Sequence, residues 1–186
     1  MKATIIADKD YQTAASQSLN KLVAEFLYSK GLEIEMMHIG RDDLAFCRGC
    51  FGCWIKKPGE CVFNDMMDQI NRNFMNSDVV IYLSPVVFGQ FSANIKNALD
   101  RWLPNMLPFF ETRPDGSTMH PSRYDASPRL IFIGYGDELS EEDRQLFIDI
   151  TQKHRRNAEV LIYQGSDQDI TEALSQIELG MVGGHL

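Results

Sequence analysis

The stretch "DVVIYLSP", residues Asp78 to Pro85, decides the fold of this 186-residue chain. It is a near-continuous apolar run that ends in Ser-Pro, and such runs are typical of strands buried on both faces of a sheet. Four further segments are predicted as strands, and they are Lys2 to Ala7, Leu32 to Ile39, Arg129 to Gly136 and Glu159 to Tyr163.

The segments between these strands have helical character. Thr13 to Lys30 repeats apolar residues at the spacing of one buried helix stripe and stops at Gly31. The other predicted helices are Asn64 to Phe74, Ser92 to Trp102, Ser140 to Asn157 and Asp169 to Leu179. Parallel neighbours require crossovers, so we predict an α/β fold with a doubly wound, five-stranded parallel sheet in three α/β/α layers. No repeat or linker divides the chain, which indicates a single domain over residues 1–186.

Composition excludes several classes of protein. A hydrophobic fraction of 44% and a charged fraction of 24% are those of a globular domain, and no apolar run is long enough to span a bilayer. The net charge of −8 argues against nucleic acid as the main partner. The start "MKATIIADKD" turns acidic too soon for a signal peptide, so we expect a cytoplasmic protein with no membrane partner.

Three predicted strands run into loops with the residues of a binding site, at the sheet edge where such folds bind ligands. The first loop, Asp8 to Ser18, opens a helix whose N–H groups and nearby hydroxyls suit a phosphate. Those hydroxyls belong to Thr13, Ser16 and Ser18, although Ser16 and Ser18 are equally explained as helix caps. The second loop presents Phe88 as a flat face, unless Phe88 is ordinary core. Together with the glycines of "GYGDE", these loops predict a pocket for a planar, phosphorylated ligand.

The segments "CRGCFGCWIKKPGECVFNDMMDQI", "DVVIYLSPVVFGQFSANIKNALDR" and "FIGYG" resemble the flavodoxin-like NADPH-dependent FMN reductase family, which includes the iron-sulfur flavoproteins. The resemblance extends from Met1 to about Tyr163. It rests on the cysteine loop, an Asp-Met pair at Asp65, the Ser-Pro-x-x-Phe motif and a Lys-x-x-x-Asp-Arg ending at Arg101, which occur in the family's order.

That resemblance implies bound FMN, with its phosphate at the first loop and its ring between the second and third loops. The residues that it places along the ring are Ser84, Pro85, Val86, Val87, Phe88, Gly89, Gly134, Tyr135 and Gly136. The first loop departs from the family, because "ADKDYQTAASQSL" lacks the usual glycine and arginine and adds Asp8 and Asp10. Ser16 aligns with the hydroxyl that would hold the phosphate, and Lys9 offsets part of the added negative charge.

All four cysteines fall in "CRGCFGCWIKKPGEC", residues 47 to 61, and in a cytoplasmic protein they are more consistent with reduced, metal-bound or catalytic thiols than with disulfides. The spacing of Cys47, Cys50, Cys53 and Cys61 permits a 4Fe-4S cluster. Zinc is disfavoured, because structural zinc sites normally use two separated cysteine pairs. The remaining interpretation is a loop that walls the flavin site and binds no metal.

The segment "RWLPNMLPFF", Arg101 to Phe110, begins an irregular region that runs to Pro128. We expect it to expose Trp102, two Phe and several aliphatic residues in a loop, and apolar patches of this kind often mark interfaces, so we expect a homodimer. Lys96, Asp100 and Arg101 are read as an ion-paired helix end. The histidines, which are His38, His120, His154 and His185, are scattered without ligand spacing.

No GxxxxGK loop, HExxH motif or Ser-His-Asp grouping is present in the sequence. Any reaction is therefore expected to depend on the cofactor, and no side chain is assigned as a catalyst. We predict an FMN-binding NAD(P)H-dependent oxidoreductase that passes hydride or electrons to a quinone, a small organic acceptor or a free flavin. The alternatives are an iron-sulfur flavoprotein that carries electrons and a flavodoxin-like protein that has lost its cofactor.

Overall fold

The computed structural model describes residues 1–155, 157–180 and 182–183, so His185 lies outside the described residues. The first half of the chain contains β1 (Lys2–Asp8), α1 (Ala14–Ser29), β2 (Glu33–Ile39), α2 (Gly52–Ile55), α3 (Met66–Met75), β3 (Val79–Val87), β4 (Gln90–Phe91), α4 (Ala93–Asp100) and a 3-10 turn (Leu103–Asn105). The second half contains β5 (Glu111–Thr112), β6 (Thr118–Met119), β7 (Ala126–Ser127), β8 (Arg129–Tyr135), α5 (Glu141–His154), β9 (Glu159–Tyr163), α6 (Asp167–Ser175) and β10 (Val182–Gly183).

The predicted parallel sheet is confirmed. Its five long strands lie in the order β2-β1-β3-β8-β9, and every neighbouring pair is parallel. This is the order of a flavodoxin-like doubly wound sheet. The short strand β4 was not predicted; it pairs with the end of β3 in an antiparallel hairpin.

Alternating strand residues send side chains to opposite faces, and each face has its own apolar core. Ile5 and Ile81 pack on the side covered by α1 and α6, together with Leu19 and Leu174. Ile6 and Phe132 pack on the other side, which α3, α4 and α5 cover. The three-layer α/β/α arrangement is therefore as predicted.

Polar residues fix where the helices begin. Thr13, Asp65, Ser92, Ser140 and Ser166 each accept a hydrogen bond from a backbone N–H of the helix that follows. Such caps satisfy N–H groups that have no partner within the helix. The loops at the sheet edge are therefore anchored at defined helix starts.

The irregular region contains short pairings rather than long elements. β5 pairs with β6 and β7 pairs with β10, and Met106 forms an isolated bridge with Ser122. The expectation that Trp102 is exposed is wrong. Its side chain is 2% exposed, because it packs edge-on against Phe74 and lies under the guanidinium of Arg155.

Within the described ranges, the helices are all too short or too polar to cross a membrane.

Candidate functional site

The predicted site loops meet at one edge of the sheet. Ala7 of β1 lies opposite Leu83 of β3, and Ser84 lies opposite Gly134 of β8. Because these strands are parallel, the first loop, the Ser84 segment and the Gly134 segment all leave the carboxyl-terminal edge. This is the position at which doubly wound folds bind ligands.

The first loop is tied to helix α4 by Asp8. The Asp8 side chain is buried, and its Oδ2 accepts a hydrogen bond from the hydroxyl of Ser92 at 2.5 Å. Its Oδ1 accepts from the amide of Asn94 at 3.0 Å and from the backbone N–H of Asp10 at 2.9 Å. The carboxylate therefore has three donors, two of which come from the start of α4.

The second added acid, Asp10, is also engaged. Its Oδ2 accepts from the backbone N–H of Arg41 at 2.9 Å and from the amide of Asn94 at 3.0 Å. The hydrogen bonds from Arg41 and Asn94 lower the pKa of Asp10. Lys9 forms its ion pair with Asp43, at 2.7 Å, so its ammonium is directed at the loop after β2.

The hydroxyls at the start of α1 form a capping box. Thr13 Oγ1 accepts from the backbone N–H of Ser16 at 3.1 Å, and Ser16 Oγ accepts from the backbone N–H of Thr13 at 2.9 Å. The structure thus shows the capping role of Ser16, while its phosphate role stays a prediction. Ser18 is half-buried, and its hydroxyl donates to Asp167 at 3.4 Å. The first turn of α1 contains no acidic residue, so the partial positive charge of its N-terminus is not neutralised there.

Phe88 occupies the tip of the hairpin that β3 and β4 form. Val87 pairs with Gln90, which leaves Phe88 and Gly89 as a two-residue turn with φ values of 51° and 70°. Left-handed backbone is unfavourable for a residue with a bulky side chain. The Phe88 side chain is nevertheless 89% exposed, so the ordinary-core interpretation is wrong and the ring is free to contact a ligand.

The other residues of this segment are held more tightly. The buried hydroxyl of Ser84 donates to the carbonyl of Pro85 at 2.9 Å and accepts from the backbone N–H of Ser92 at 3.0 Å. Pro85 is buried, and Val86 and Val87 are half-buried. Ser84 and Asp8 therefore both bind Ser92, which couples the first loop to the segment predicted to line the ring.

The Gly134 segment is packed by the protein itself. A Cβ on Gly134 would lie 2.8 Å from side-chain atoms of Val86 and Phe147, and one on Gly136 would lie 2.6 Å from Leu139. Tyr135 is 3% exposed, and burial, together with the Asp8 carboxylate and Tyr11, raises its pKa. These residues therefore have packing roles, and their contact with a flavin ring stays a prediction.

The cysteine loop contains the unpredicted helix α2, which starts after Phe51 in left-handed backbone with φ 52°. All four thiols are free; Cys47 and Cys50 are exposed, Cys53 is buried and Cys61 is half-buried. They line one small cavity, which is closed by Arg48, Phe51, Val62, Arg101, Leu103 and Pro104. Burial raises the pKa of Cys53, and the other three thiols add to that shift. The loop therefore places four cysteines that differ in exposure around one cavity.

Arg101 closes this cavity from the side of α4. Its side chain is buried and forms an ion pair with Asp65, the cap of α3, while Nη1 also donates to the carbonyl of Ala45 at 3.1 Å. Nη2 donates to Sγ of Cys61 at 3.3 Å. Burial disfavours both charged groups, but their pairing outweighs it, so that the pKa of Asp65 is lowered and the pKa of Arg101 is raised.

The ion pair of Arg101 with Asp65 corrects the expectation that Arg101 joins Lys96 and Asp100 in one ion-paired helix end. Lys96 does pair with Asp100 one helical turn later, but Arg101 turns inward to Asp65. The signal in the sequence was the presence of an Asp-Met pair and an Asp-Arg ending in a fixed order. Nothing in their spacing shows that Asp65 and Arg101 meet.

The sequence profile of the NADPH-dependent FMN reductase family matches residues 1–113. The chain belongs to this family. The matched range covers the first loop, the cysteine loop and the Phe88 hairpin. The resemblance seen in the sequence is therefore confirmed.

Two curated relatives match about half of this FMN reductase family member. An iron-sulfur flavoprotein of Archaeoglobus fulgidus is 40% identical over 90 residues, which are 48% of this chain and 40% of that protein. An iron-sulfur flavoprotein of Methanocaldococcus jannaschii is 33% identical over 93 residues, which are 50% of this chain and 45% of that protein. The matches thus span less than half the length of these relatives.

Among solved structures, the NAD(P)H:quinone oxidoreductase from Methanothermobacter marburgensis aligns with a TM-score of 0.64. The alignment covers 94% of this chain and 93% of that chain at 13% sequence identity. An identity this low supports the flavodoxin-like fold alone, which confirms the predicted fold class.

The donor sets fit the groups that the family implies. The N-terminus of α1 suits a phosphate, and the carboxylates of Asp8 and Asp10 are taken up by donors of α4 and of the loop after β2. For a 4Fe-4S cluster, four thiols line one cavity. In the part of the chain that the structure describes, no three His, Cys, Asp or Glu side chains surround a point where a single metal ion would be held. A cluster places its thiolates on separate irons and needs no such common point.

Proposed function

We propose that this chain is an FMN-dependent NAD(P)H oxidoreductase. The observation that carries the proposal is the family match over residues 1–113, which includes the loops that converge at the carboxyl-terminal edge of the sheet. The fold supports it, because the chain shares that fold with an NAD(P)H:quinone oxidoreductase. The whole activity is our proposal, because the matches span less than half the length of these two curated relatives.

In this reaction the protein would bind the flavin and restrict which molecules reach its ring. FMN, when bound, supplies the ring that takes hydride from the nicotinamide and passes electrons to a small acceptor. The N-terminus of α1 would bind the phosphate, and the exposed ring of Phe88 would pack against the flavin. No side chain is needed as an acid or base for hydride transfer. The buried contact of Asp8 with Ser92 holds the two binding loops at a fixed separation.

A second candidate function is electron transfer by a 4Fe-4S cluster that acts beside FMN. The specific observation that favours it is the cavity lined by Cys47, Cys50, Cys53 and Cys61. The matches to iron-sulfur flavoproteins of two archaea add support. Iron and acid-labile sulfide measured on anaerobically purified and reconstituted protein test this candidate, and their absence ends it.

We also propose that the protein is a cytoplasmic homodimer. The dimer proposal rests on Phe109 and Phe110, whose side chains are 64% and 72% exposed. Trp102 is buried and cannot contribute to such a surface. Four free thiols in one loop suit a reducing compartment.

The proposed function is tested by incubating anaerobically purified protein with FMN, removing free flavin on a desalting column and recording the visible spectrum. Retained flavin absorption supports the reductase proposal, and an added broad iron-sulfur shoulder supports the second candidate. A colourless protein would contradict both and would favour a flavodoxin-like protein that has lost its cofactor.

A further inference from the structure

Arg101 is a buried cation that divides its donors between an acid and a sulfur. The residue is 2% exposed, so its charge needs compensation within the protein. The Nη1 branch binds Asp65 and the carbonyl of Ala45. The Nη2 branch donates to Sγ of Cys61.

The contact between Nη2 and Cys61 is better suited to a thiolate than to a thiol. A neutral thiol is a weak acceptor, whereas a thiolate bound to a metal carries charge and accepts a hydrogen bond from a cation strongly. Arg101 points its second branch at this sulfur across 3.3 Å. A Cys61 thiolate bound to a cluster would therefore gain a charge-assisted hydrogen bond from Arg101.

Cys61 is also the thiol that most needs an external anchor. The first three cysteines follow one another at short spacing, but seven residues separate Cys53 from Cys61. The intervening turn is closed by backbone hydrogen bonds from Gly59 to Cys53 and from Glu60 to Lys57. These bonds return the chain to the cavity, but they do not involve the Cys61 side chain. Arg101 donates a hydrogen bond to that side chain.

We infer that Arg101 is the positioning residue of the fourth cysteine: it holds the Cys61 sulfur toward the other three thiols and raises the reduction potential of a cluster bound by all four. This inference rests on the second candidate function. Hydrogen bonds to cluster sulfurs and nearby charge are recognised determinants of cluster potential. A cation stabilises the reduced, more negative form. Asp65 sets the orientation of Arg101 and partly offsets its charge.

The test is the reduction potential of the reconstituted full chain, measured by anaerobic spectroelectrochemistry in wild type, Arg101→Lys, Arg101→Met and Asp65→Asn. Arg101→Lys keeps a cation for Asp65 but loses the second branch that reaches Cys61. Lys21→Met is the control, because it removes an exposed cation from helix α1, which covers the opposite face of the sheet from α3 and α4. Iron and sulfide content and thermal unfolding are measured on each variant.

We expect both Arg101 variants to lower the potential by the equivalent of at least a tenfold change in the ratio of oxidised to reduced protein, about 59 mV for one electron. Asp65→Asn should shift it in the opposite direction, and Lys21→Met should leave it unchanged. A folded Arg101→Lys that no longer retains iron would also support the positioning role.

Unchanged potentials in loaded Arg101→Lys and Asp65→Asn would overturn the inference while leaving the cluster in place. Wild-type protein that takes up no iron would overturn the inference and the second candidate function together. FMN retention, measured separately, shows whether the reductase proposal survives either result. If Arg101→Met fails to fold, Arg101→Lys and Asp65→Asn still decide the matter.

Discussion

The hydroxyl of Ser92 donates a hydrogen bond to the buried carboxylate of Asp8 at 2.5 Å, and this bond joins the end of β1 to the start of α4. Ser92 also donates its backbone N–H to the hydroxyl of Ser84 in β3. One serine therefore fixes the relative position of the first loop and of the hairpin that presents Phe88. Asp8 therefore has a structural role, and it also adds a negative charge to the first loop.

Removing the exposed charge of the first loop should distinguish binding of the phosphate from binding of the flavin ring. The change Asp10→Asn removes one negative charge from this loop and keeps the buried contact of Asp8 with Ser92, so we expect FMN affinity to rise about threefold, ~0.7 kcal/mol. Riboflavin, which lacks the phosphate, is the control ligand. Isothermal titration calorimetry measures both, and an equal change for the two ligands would contradict this electrostatic account.

The Asp8 carboxylate should also be needed for stability. Asp8→Ala leaves the buried hydroxyl of Ser92 without its acceptor and removes an acceptor of Asn94, so we expect a loss of about 2–4 kcal/mol in the free energy of unfolding. Asp42→Ala is the control, because Asp42 is exposed. Urea denaturation measures both variants, and equal losses would show that the Asp8 contacts contribute nothing specific.

Asp65 should make the fold sensitive to acid. Its pKa is lowered in the folded state, so the stability it contributes is present above the unfolded pKa of about 3.9 and is lost as pH falls through the lower folded value. Asp65→Asn should therefore be less stable than wild type near neutral pH, and the difference should shrink as pH falls below about 4. Thermal unfolding across this pH range checks the sign, and a difference that grew toward acid pH would contradict it.

Phe88 should lower the stability of the flavin-free protein and strengthen FMN binding. Phe88→Asn places a residue that tolerates left-handed backbone before Gly89, so we expect the free energy of unfolding of the flavin-free protein to rise by about 1 kcal/mol. FMN affinity should fall about tenfold, because the exposed ring is lost. Phe109→Asn, at another exposed Phe, is the control and should leave FMN affinity unchanged. A Phe88→Asn variant that binds FMN like wild type would exclude Phe88 from the site.

The dimer proposal depends on the exposed pair Phe109 and Phe110. The double change of both residues to Ser should convert a dimer to a monomer in multi-angle light scattering, because it removes the exposed apolar surface of this loop. The matched change Tyr28→Ser, at a side chain 76% exposed on α1, should leave the mass unchanged. A wild-type monomer would refute the proposal directly.

The sheet could be predicted almost completely from the sequence, since its strands are buried runs separated by helices with clear stripes. Strand Glu159–Tyr163 matches its predicted bounds, and the other long elements differ at their ends by a few residues. The hairpin β4 and helix α2 were missed, because two strand residues and one helical turn leave no periodic signal.

The location of the candidate site could be predicted from the sequence, but most of the contacts within it could not. The edge at which the loops meet follows from strand order, whereas the contact of Phe88 with a flavin stays a prediction. The burial of Asp8 could not be predicted, because its donors Ser92 and Asn94 are more than 80 positions away. The same holds for Asp65 and Arg101, whose pairing depends on how α3 and α4 pack.

The central claim is that bound FMN accepts electrons from a nicotinamide, and an anaerobic titration tests it most directly. Protein reconstituted with FMN and freed of excess flavin is titrated with NADPH, and separately with NADH, while the visible flavin absorption is recorded. We expect at least one nicotinamide to bleach the bound flavin at about one equivalent, because two electrons reduce the ring fully. Bound flavin that stays oxidised with an excess of both nicotinamides would contradict the proposed function.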